Sequence, residues 1–277
     1  MDKLIRLRQE IDECDKKLLT IFQKRLNLVK EILIVKRERG QAILKPERER
    51  EIIERAVKAI KDADYSEEAE KFIEQILKIS RGYQSRKLFP YNISLIGFMG
   101  SGKTRVGNEL AKVLEMSFVD CDDIIEESCG MPVSKIFEIH GEQYFRNIEN
   151  NTIRILSKRQ NTIIITGGGA VINPENVEHL KKNGVIIFLK SSPDIVYDRI
   201  KNDCSRPVLD GKMTVKYISE LYGKRFPAYH SAADIIVNSE DTLEVITNAI
   251  INQLYSMDDD FFERLSLGSK YHISNSN

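Results

Sequence analysis

From Asp2 to Arg39 the chain holds neither Gly nor Pro, and Ile5, Ile11, Leu18, Leu19, Phe22, Leu26, Val29 and Leu33 recur at helical spacing. The pattern predicts one helix of roughly forty residues, about 55 Å long at ~1.5 Å per residue. The roughly fifty residues that follow are too few to cover such a rod, so a second copy of the chain is expected against it. Gly40 ends this helix. Pro46 then marks the first turn of a second helix, Glu47–Ile60, and Ser66 is expected to cap a third, Glu67–Ser85. Beyond Pro90 the period changes. Short apolar runs at residues 93–96, 117–119, 162–166, 185–189 and 234–237 alternate with helical stretches, which predicts a five-stranded parallel sheet covered by helices. Two domains result: an all-α three-helix module over 1–88 and, after a linker at 89–92, an α/β domain over 93–256. Residues 257–277, with Asp258, Asp259 and Asp260 ahead of a Ser/Asn-rich end, are expected to form a poorly ordered tail.

The first strand runs into Gly97-Phe98-Met99-Gly100-Ser101-Gly102-Lys103-Thr104, which fits G-x-x-x-x-G-K-[ST]. Val106, Leu110, Ala111 and Leu114 follow at helical spacing, so the motif lies between strand and helix as a phosphate loop requires. Its glycines let the backbone N–H groups turn inward at a helix N-terminus whose dipole favours anions. Gly100, Ser101, Gly102, Lys103, Thr104 and Arg105 are the expected nucleotide-binding residues, with Lys103 on the β/γ-phosphates and Thr104 on Mg²⁺. This domain binds a nucleoside triphosphate.

Composition narrows the rest. Forty-two Lys+Arg balance forty-two Asp+Glu, leaving no global field to attract nucleic acid or a membrane. The balance is uneven, with 22 basic and 17 acidic side chains in residues 1–90 against 20 and 25 beyond, so an anionic small ligand is expected in front. Cys14, Cys121, Cys129 and Cys204 have no C-x-x-C spacing and read as reduced thiols. The charged N-terminus resembles no signal peptide and no run reaches membrane-span length, so a cytoplasmic enzyme is expected.

In the front module Arg25 and Lys36 stand eleven residues apart and share a helix face, whereas Arg8 is turned about 100° away. Ser80 and Gln84 follow at i,i+4 on the last helix. The ordered set Leu7-Arg8, Arg25, Lys36, Pro46-Glu47-Arg48-Glu49 and Ser80…Gln84 resembles the all-helical chorismate mutase family over residues 3–88. That resemblance implies an intertwined homodimer rearranging chorismate to prephenate, with no proton transfer and no covalent intermediate, by holding a compact conformer and stabilising the ether oxygen. It puts Arg25, and Arg8 from a second subunit, on carboxylates. Lys36 and Gln84 would face the ether oxygen, and Arg48, Glu49 and Ser80 would complete the pocket. Lys45 stands where many family members carry Asp, leaving Glu49 as acceptor for the substrate hydroxyl.

In the second domain functional residues are expected at the carboxyl ends of the strands. Asp120-Cys121-Asp122 follows the second strand; by itself a D-x-D is equally a helix cap or a metal and hydroxyl site. Gly167-Gly168-Gly169 follows the third. Arg146, Arg206 in a polar lid-like stretch, and Arg225 add cations. Together G-F-M-G-S-G-K-T, F-V-D-C-D, G-E-x-Y-F-R-x-I-E, T-G-G-G, R-P-V-L and K-R-F-P-x-Y resemble the shikimate kinase family over residues 93–255. The resemblance implies ATP and Mg²⁺, with Asp122 as base on the shikimate hydroxyl. It puts Arg146, Arg225, Gly168 and Gly169 around the shikimate carboxylate, Asp120 and Thr104 on the metal, Arg206 at the transferring phosphoryl and Arg199 along the adenine. Two alternatives stay open: a front module that senses metabolites without useful turnover, and phosphorylation of another hydroxylated acid such as gluconate.

Overall fold

The computed structural model describes residues 2–38, 46–201 and 214–257. Gly40, Lys45, Cys204, Arg206 and all but the first residue of the expected tail lie outside them. The chain divides into two compact units, Met1–Gln84 and Ser85–Asn277.

The first unit is helical. α1 (Lys3–Glu38) runs unbroken for 36 residues, as its lack of Gly and Pro predicts, and is followed by α2 (Pro46–Ala59) and α3 (Ser66–Leu88). Only the C-terminal part of α1 is covered: Val29 and Leu33 are buried, whereas Ile11, Leu18 and Leu19 of the same stripe are 59%, 51% and 68% exposed. The cap of the third helix differs from expectation. Ser66 is itself helical (φ −64°, ψ −42°), and a 3₁₀ turn at Ala63–Tyr65 leads into it. The Asx-type cap is Asp62, whose carboxylate accepts from the Asp64 N–H at 3.1 Å. An acidic side chain directly before the 3₁₀ turn satisfies that turn's N-terminal donor, four residues ahead of Ser66.

The second unit is a parallel sheet between helices. Its strands are β1 (Asn92–Ile96), β2 (Ser117–Asp120), β3 (Thr162–Ile165), β4 (Gly184–Lys190) and β5 (Ile235–Asn238), in the order β2-β3-β1-β4-β5. All four pairings are parallel, with Leu95 opposite Ile165 and Ile187. β1, β3 and β4 are buried on both faces, which is why they read as unbroken apolar runs. The helices are α4 (Lys103–Leu114), α5 (Cys121–Cys129), α6 (Val133–Leu156), α7 (Pro174–Lys181), α8 (Pro193–Ile200), α9 (Val215–Ala232) and α10 (Leu243–Tyr255). Gly107 lets α4 lie close on the sheet, since a Cβ there would meet Ile165 Cδ1 at 2.4 Å. α6 is broken at Gly141 (φ 81°, ψ 170°).

Residues 89–92, expected as a linker, belong to this second unit. Phe89 and Tyr91 are buried at 1% and 2% exposure, and Asn92 opens β1. The Asn161 amide donates to the Phe89 carbonyl at 3.0 Å. The chain leaves β1 towards β2 and leaves β3 towards β4, on the opposite side. The loops after these adjacent strands therefore part and open a crevice at the carboxyl ends.

Candidate functional site

The loop after β1 has the backbone its glycines permit. Gly100 (φ 75°) and Gly102 (φ 87°) lie in the left-handed region, and Gly102 caps α4 through its backbone alone. Lys103 folds back over the loop, its ammonium donating to the carbonyls of Gly97 (3.0 Å) and Phe98 (3.1 Å). The Thr104 hydroxyl donates to Asp120 Oδ2 at 3.0 Å, while Asp120 Oδ1 caps α5 by accepting from the Asp122 N–H at 3.1 Å. The two uses of a D-x-D are therefore not exclusive: one carboxylate serves both. Burial pushes the Asp120 carboxyl up, against the lowering effect of those two hydrogen bonds. Arg199 of α8 donates to the carbonyls of Gly100 (3.2 Å) and Ser239 (2.8 Å). Lys103, Thr104, Arg105, Asp120 and Arg199 line a cavity of about 380 Å³.

A second cavity of about 280 Å³ opens beside it, lined among others by Asp122, Arg146, Glu149, Gly167–Gly169 and Arg225. Asp122, Met99 and Gly168 line both cavities and so form their shared wall. α6 presents Arg146, whose Nη1 donates to Glu149 Oε2 at 2.7 Å and whose Nη2 donates to Glu142 Oε1 at 3.0 Å. Burial pulls the Arg146 guanidinium down, but Glu149 and Glu142 outweigh it and hold it above the ordinary value. Glu149 is fully buried, and there desolvation wins over Arg146 and raises its carboxyl.

From α9, Arg225 Nη1 donates to the Gly168 carbonyl at 3.2 Å, and its guanidinium lies over the Phe98 ring. The Tyr229 hydroxyl donates to the same carbonyl, and burial pushes its phenol up to about 12. Two donors from one helix thus fix the Gly168 peptide. The glycines are needed for closeness: a Cβ on Gly167 would meet Glu149 Oε1 at 2.7 Å, and one on Gly169 would meet Arg146 Nη2 at 2.5 Å.

Glu149 and Tyr229 stand inside the motifs G-E-x-Y-F-R-x-I-E and K-R-F-P-x-Y, which by themselves give them no role. Their signal was spacing: Glu149 stands three residues after Arg146, and Tyr229 four after Arg225, each on one helix face.

In the first unit, Arg25 Nη1 donates to the Ser80 hydroxyl, which donates in turn to the Ile76 carbonyl at 2.7 Å. Burial lowers the Arg25 guanidinium. Gln84 is buried, and its Oε1 has no hydrogen-bond partner among the described residues. Glu49 accepts from Arg81, a residue the pattern Ser80…Gln84 passes over. Lys36 is half-buried, and Arg48 is exposed with Glu51 at 2.7 Å. Arg8 is exposed and lies 17 residues before Arg25, about 25 Å along the helix at ~1.5 Å per residue. One chain by itself does not bring Arg8 to the other residues.

Among the described residues, Cys14, Cys121 and Cys129 are free thiols, and no helix is long and apolar enough to cross a membrane.

Residues 7–85 match the family chorismate mutase type II, and residues 99–255 match shikimate kinase. A shikimate kinase of Caldanaerobacter subterraneus is 43% identical over 160 residues, covering 58% of this chain and 94% of the relative. That of Thermodesulfovibrio yellowstonii is 42% identical over 178 residues, 64% of this chain and 98% of the relative. Among solved structures, the Acinetobacter baumannii shikimate kinase in complex with shikimate superposes with a TM-score of 0.60 at 31% identity, covering 62% of this chain and 97% of that one. The enzyme from Bacteroides thetaiotaomicron gives 0.55 at 32% identity, covering 60% and 99%. With more than half its length matched by that family, the chain belongs to the shikimate kinase family and carries a chorismate mutase type II domain ahead of the kinase domain.

Proposed function

We propose that the second unit phosphorylates the 3-hydroxyl of shikimate with ATP, giving shikimate 3-phosphate, and that the first rearranges chorismate to prephenate. The carrying observation for the kinase is Asp122, which lines both the phosphate-loop cavity and the cavity holding Arg146 and Arg225. A carboxylate there can take the proton of a hydroxyl as it meets the γ-phosphoryl group. Arg146 and Arg225, with the peptide groups of Gly168 and Gly169, hold the shikimate carboxylate and orient the ring. Backbone N–H groups of the loop, Lys103 and Arg105 hold the triphosphate, Arg199 lies beside the base, and Arg206 neutralises the transferring group.

The hydroxyl of Thr104 and the carboxylate of Asp120, 3.0 Å apart, are hard oxygen donors suited to Mg²⁺. Among the described residues no group of three or more His, Cys, Asp or Glu could hold a metal alone, so phosphate and water oxygens would supply the remaining ligands. When bound, the ion neutralises phosphate charge.

In the first unit, Arg25 and Ser80 hold one end of chorismate, Glu49 accepts from its hydroxyl with Arg48 nearby, and Lys36 and Gln84 stabilise the ether oxygen. Arg8 comes from a second copy of the chain. The exposed apolar stripe of α1, with Ile11, Leu18 and Leu19 uncovered, supports that homodimer.

One set of assays tests both halves on the full chain. ADP release is followed with shikimate and with other hydroxylated acids including gluconate, and chorismate consumption is followed by absorbance. Release with gluconate but not shikimate would overturn the kinase half. Binding of chorismate without turnover would overturn the mutase half.

A further inference from the structure

Glu49 is not a lone carboxylate. Its two oxygens accept from Arg81 Nη1 at 2.7 and 2.6 Å, and the two side chains are 23% and 18% exposed. Other ion pairs described in the first unit, Arg6–Glu10, Lys16–Glu13, Arg48–Glu51 and Lys71–Glu67, join exposed residues three or four apart on one helix. Pairs of that kind contribute little. Arg81–Glu49 instead ties α3 to α2 across 32 residues of sequence. On α3, Arg81 follows Ser80, which holds Arg25, and precedes Gln84 with its unpartnered buried oxygen.

Resting on the mutase reading above, we infer that Arg81 is a positioning residue for Glu49: it fixes the carboxylate that receives the chorismate hydroxyl and offsets its charge. The first part follows from geometry. A Glu side chain has three rotatable bonds, and a cation shared between both oxygens removes most of that freedom. The second part follows from the substrate. Chorismate brings two carboxylates, so a third carboxylate in the pocket wall repels it unless a cation lies against it. With Arg81 in place, Arg25 and Lys36 keep a positive balance for the dianion while Glu49 still accepts a hydrogen bond.

Full-length Arg81→Gln, Arg81→Lys, Glu49→Gln and the double variant Glu49→Gln/Arg81→Gln test this by steady-state chorismate turnover. Thermal melts and far-UV circular dichroism of the same preparations report on folding of the first unit. Arg81→Gln should raise the chorismate KM and lower kcat/KM by about 10–100-fold, with part of the loss recovered by Arg81→Lys. In the Glu49→Gln background, removing Arg81 should cost less than about threefold more, because no carboxylate is left to hold. Losses that multiply instead would show Arg81 acting on the substrate itself and would overturn the positioning role. A lower Tm with an unchanged chorismate KM would reduce Arg81 to a staple between helices, overturning it as well. A parent chain without any chorismate turnover would remove the mutase reading and this role with it, an outcome distinct from multiplicative losses.

Discussion

Gly169→Ala probes the proposed shikimate site with one methyl group. Gly169 has φ −116° and ψ −1°, a backbone that Ala adopts without strain. The added Cβ would lie 2.5 Å from Arg146 Nη2 and 2.9 Å from its Cζ and Nη1. Non-bonded contact begins near about 3.5 Å, so the guanidinium must retreat by about 1 Å. It is the far end of a long side chain and retains carboxylates on two sides, Glu149 at 2.7 Å and Glu142 at 3.0 Å. The shift is therefore cheap for folding, and the lower unfolded-chain entropy of Ala returns about 0.4–1 kcal/mol. Stability should stay within about 1 kcal/mol of the parent, or about 2–4 °C in Tm for a domain of this size. The substrate sees a different change. A displacement of about 1 Å in a positioning group costs up to about 10²-fold, so kcat/KM for shikimate should fall about 10–100-fold, or roughly 1.4–2.7 kcal/mol. The ATP KM should not move, since Gly169 does not line the phosphate-loop cavity. Steady-state kinetics with each substrate varied, beside a thermal melt, separate the two effects. Unchanged shikimate kinetics would refute Arg146 as a carboxylate ligand; a Tm loss well beyond that range would show the backbone, not the guanidinium, absorbing the clash.

The remaining expectations are shorter. Lys103→Ala should lower phosphorylation by at least about 10²–10³-fold while chorismate turnover stays intact; equal loss of both activities would refute independent sites. Arg8→Ala and Arg25→Ala chains, inactive alone, should recover chorismate turnover when mixed and allowed to exchange, because about a quarter of pockets then hold both arginines. No recovery despite demonstrated exchange would sink the shared pocket. Burial raises the Glu149 carboxyl, so the folded state holds that proton more tightly than the unfolded chain does. Its contribution to stability is present below the ordinary carboxylate pKa and lost as pH rises through the raised one. Glu149→Gln removes this dependence, so its Tm relative to the parent should improve as pH rises above the ordinary carboxylate range; a flat or falling difference would refute the direction.

Helices and strands were legible wherever one period ran long enough to average out exceptions. α1 had 36 residues to declare itself, and the buried strands β1, β3 and β4 announced themselves as apolar runs. The ends were less legible because they depend on single polar atoms. Asp62 and Ser66 are both acceptable caps by type, and only the 3₁₀ turn between them decides for Asp62. Residues 89–92 misled for a related reason. Pro90 signals a break in local structure, but the burial of Phe89 and Tyr91 comes from the long-range fold.

At the site the divide falls between residues that meet ligands and residues that hold them. The positions proposed to face ligands, Lys103, Asp122, Arg146 and Arg225, stand in motifs because their chemistry restricts the residue type. Supports on the same helix are readable from spacing: Glu149 follows Arg146 by three and Tyr229 follows Arg225 by four, and Tyr229 reaches the Gly168 carbonyl as well as its helix neighbour. Supports that cross between elements carry no such signal. Nothing in the spacing of Glu49 and Arg81, or of Gly169 and Arg146, says that they meet; only the packing of α2 on α3, and of the loop after β3 on α6, brings them within contact. The least legible pairs are therefore those in which one residue sets the orientation of another. A substitution such as Gly169→Ala or Arg81→Gln is informative for that reason: it disturbs the geometry of a functional group while leaving the group itself in place.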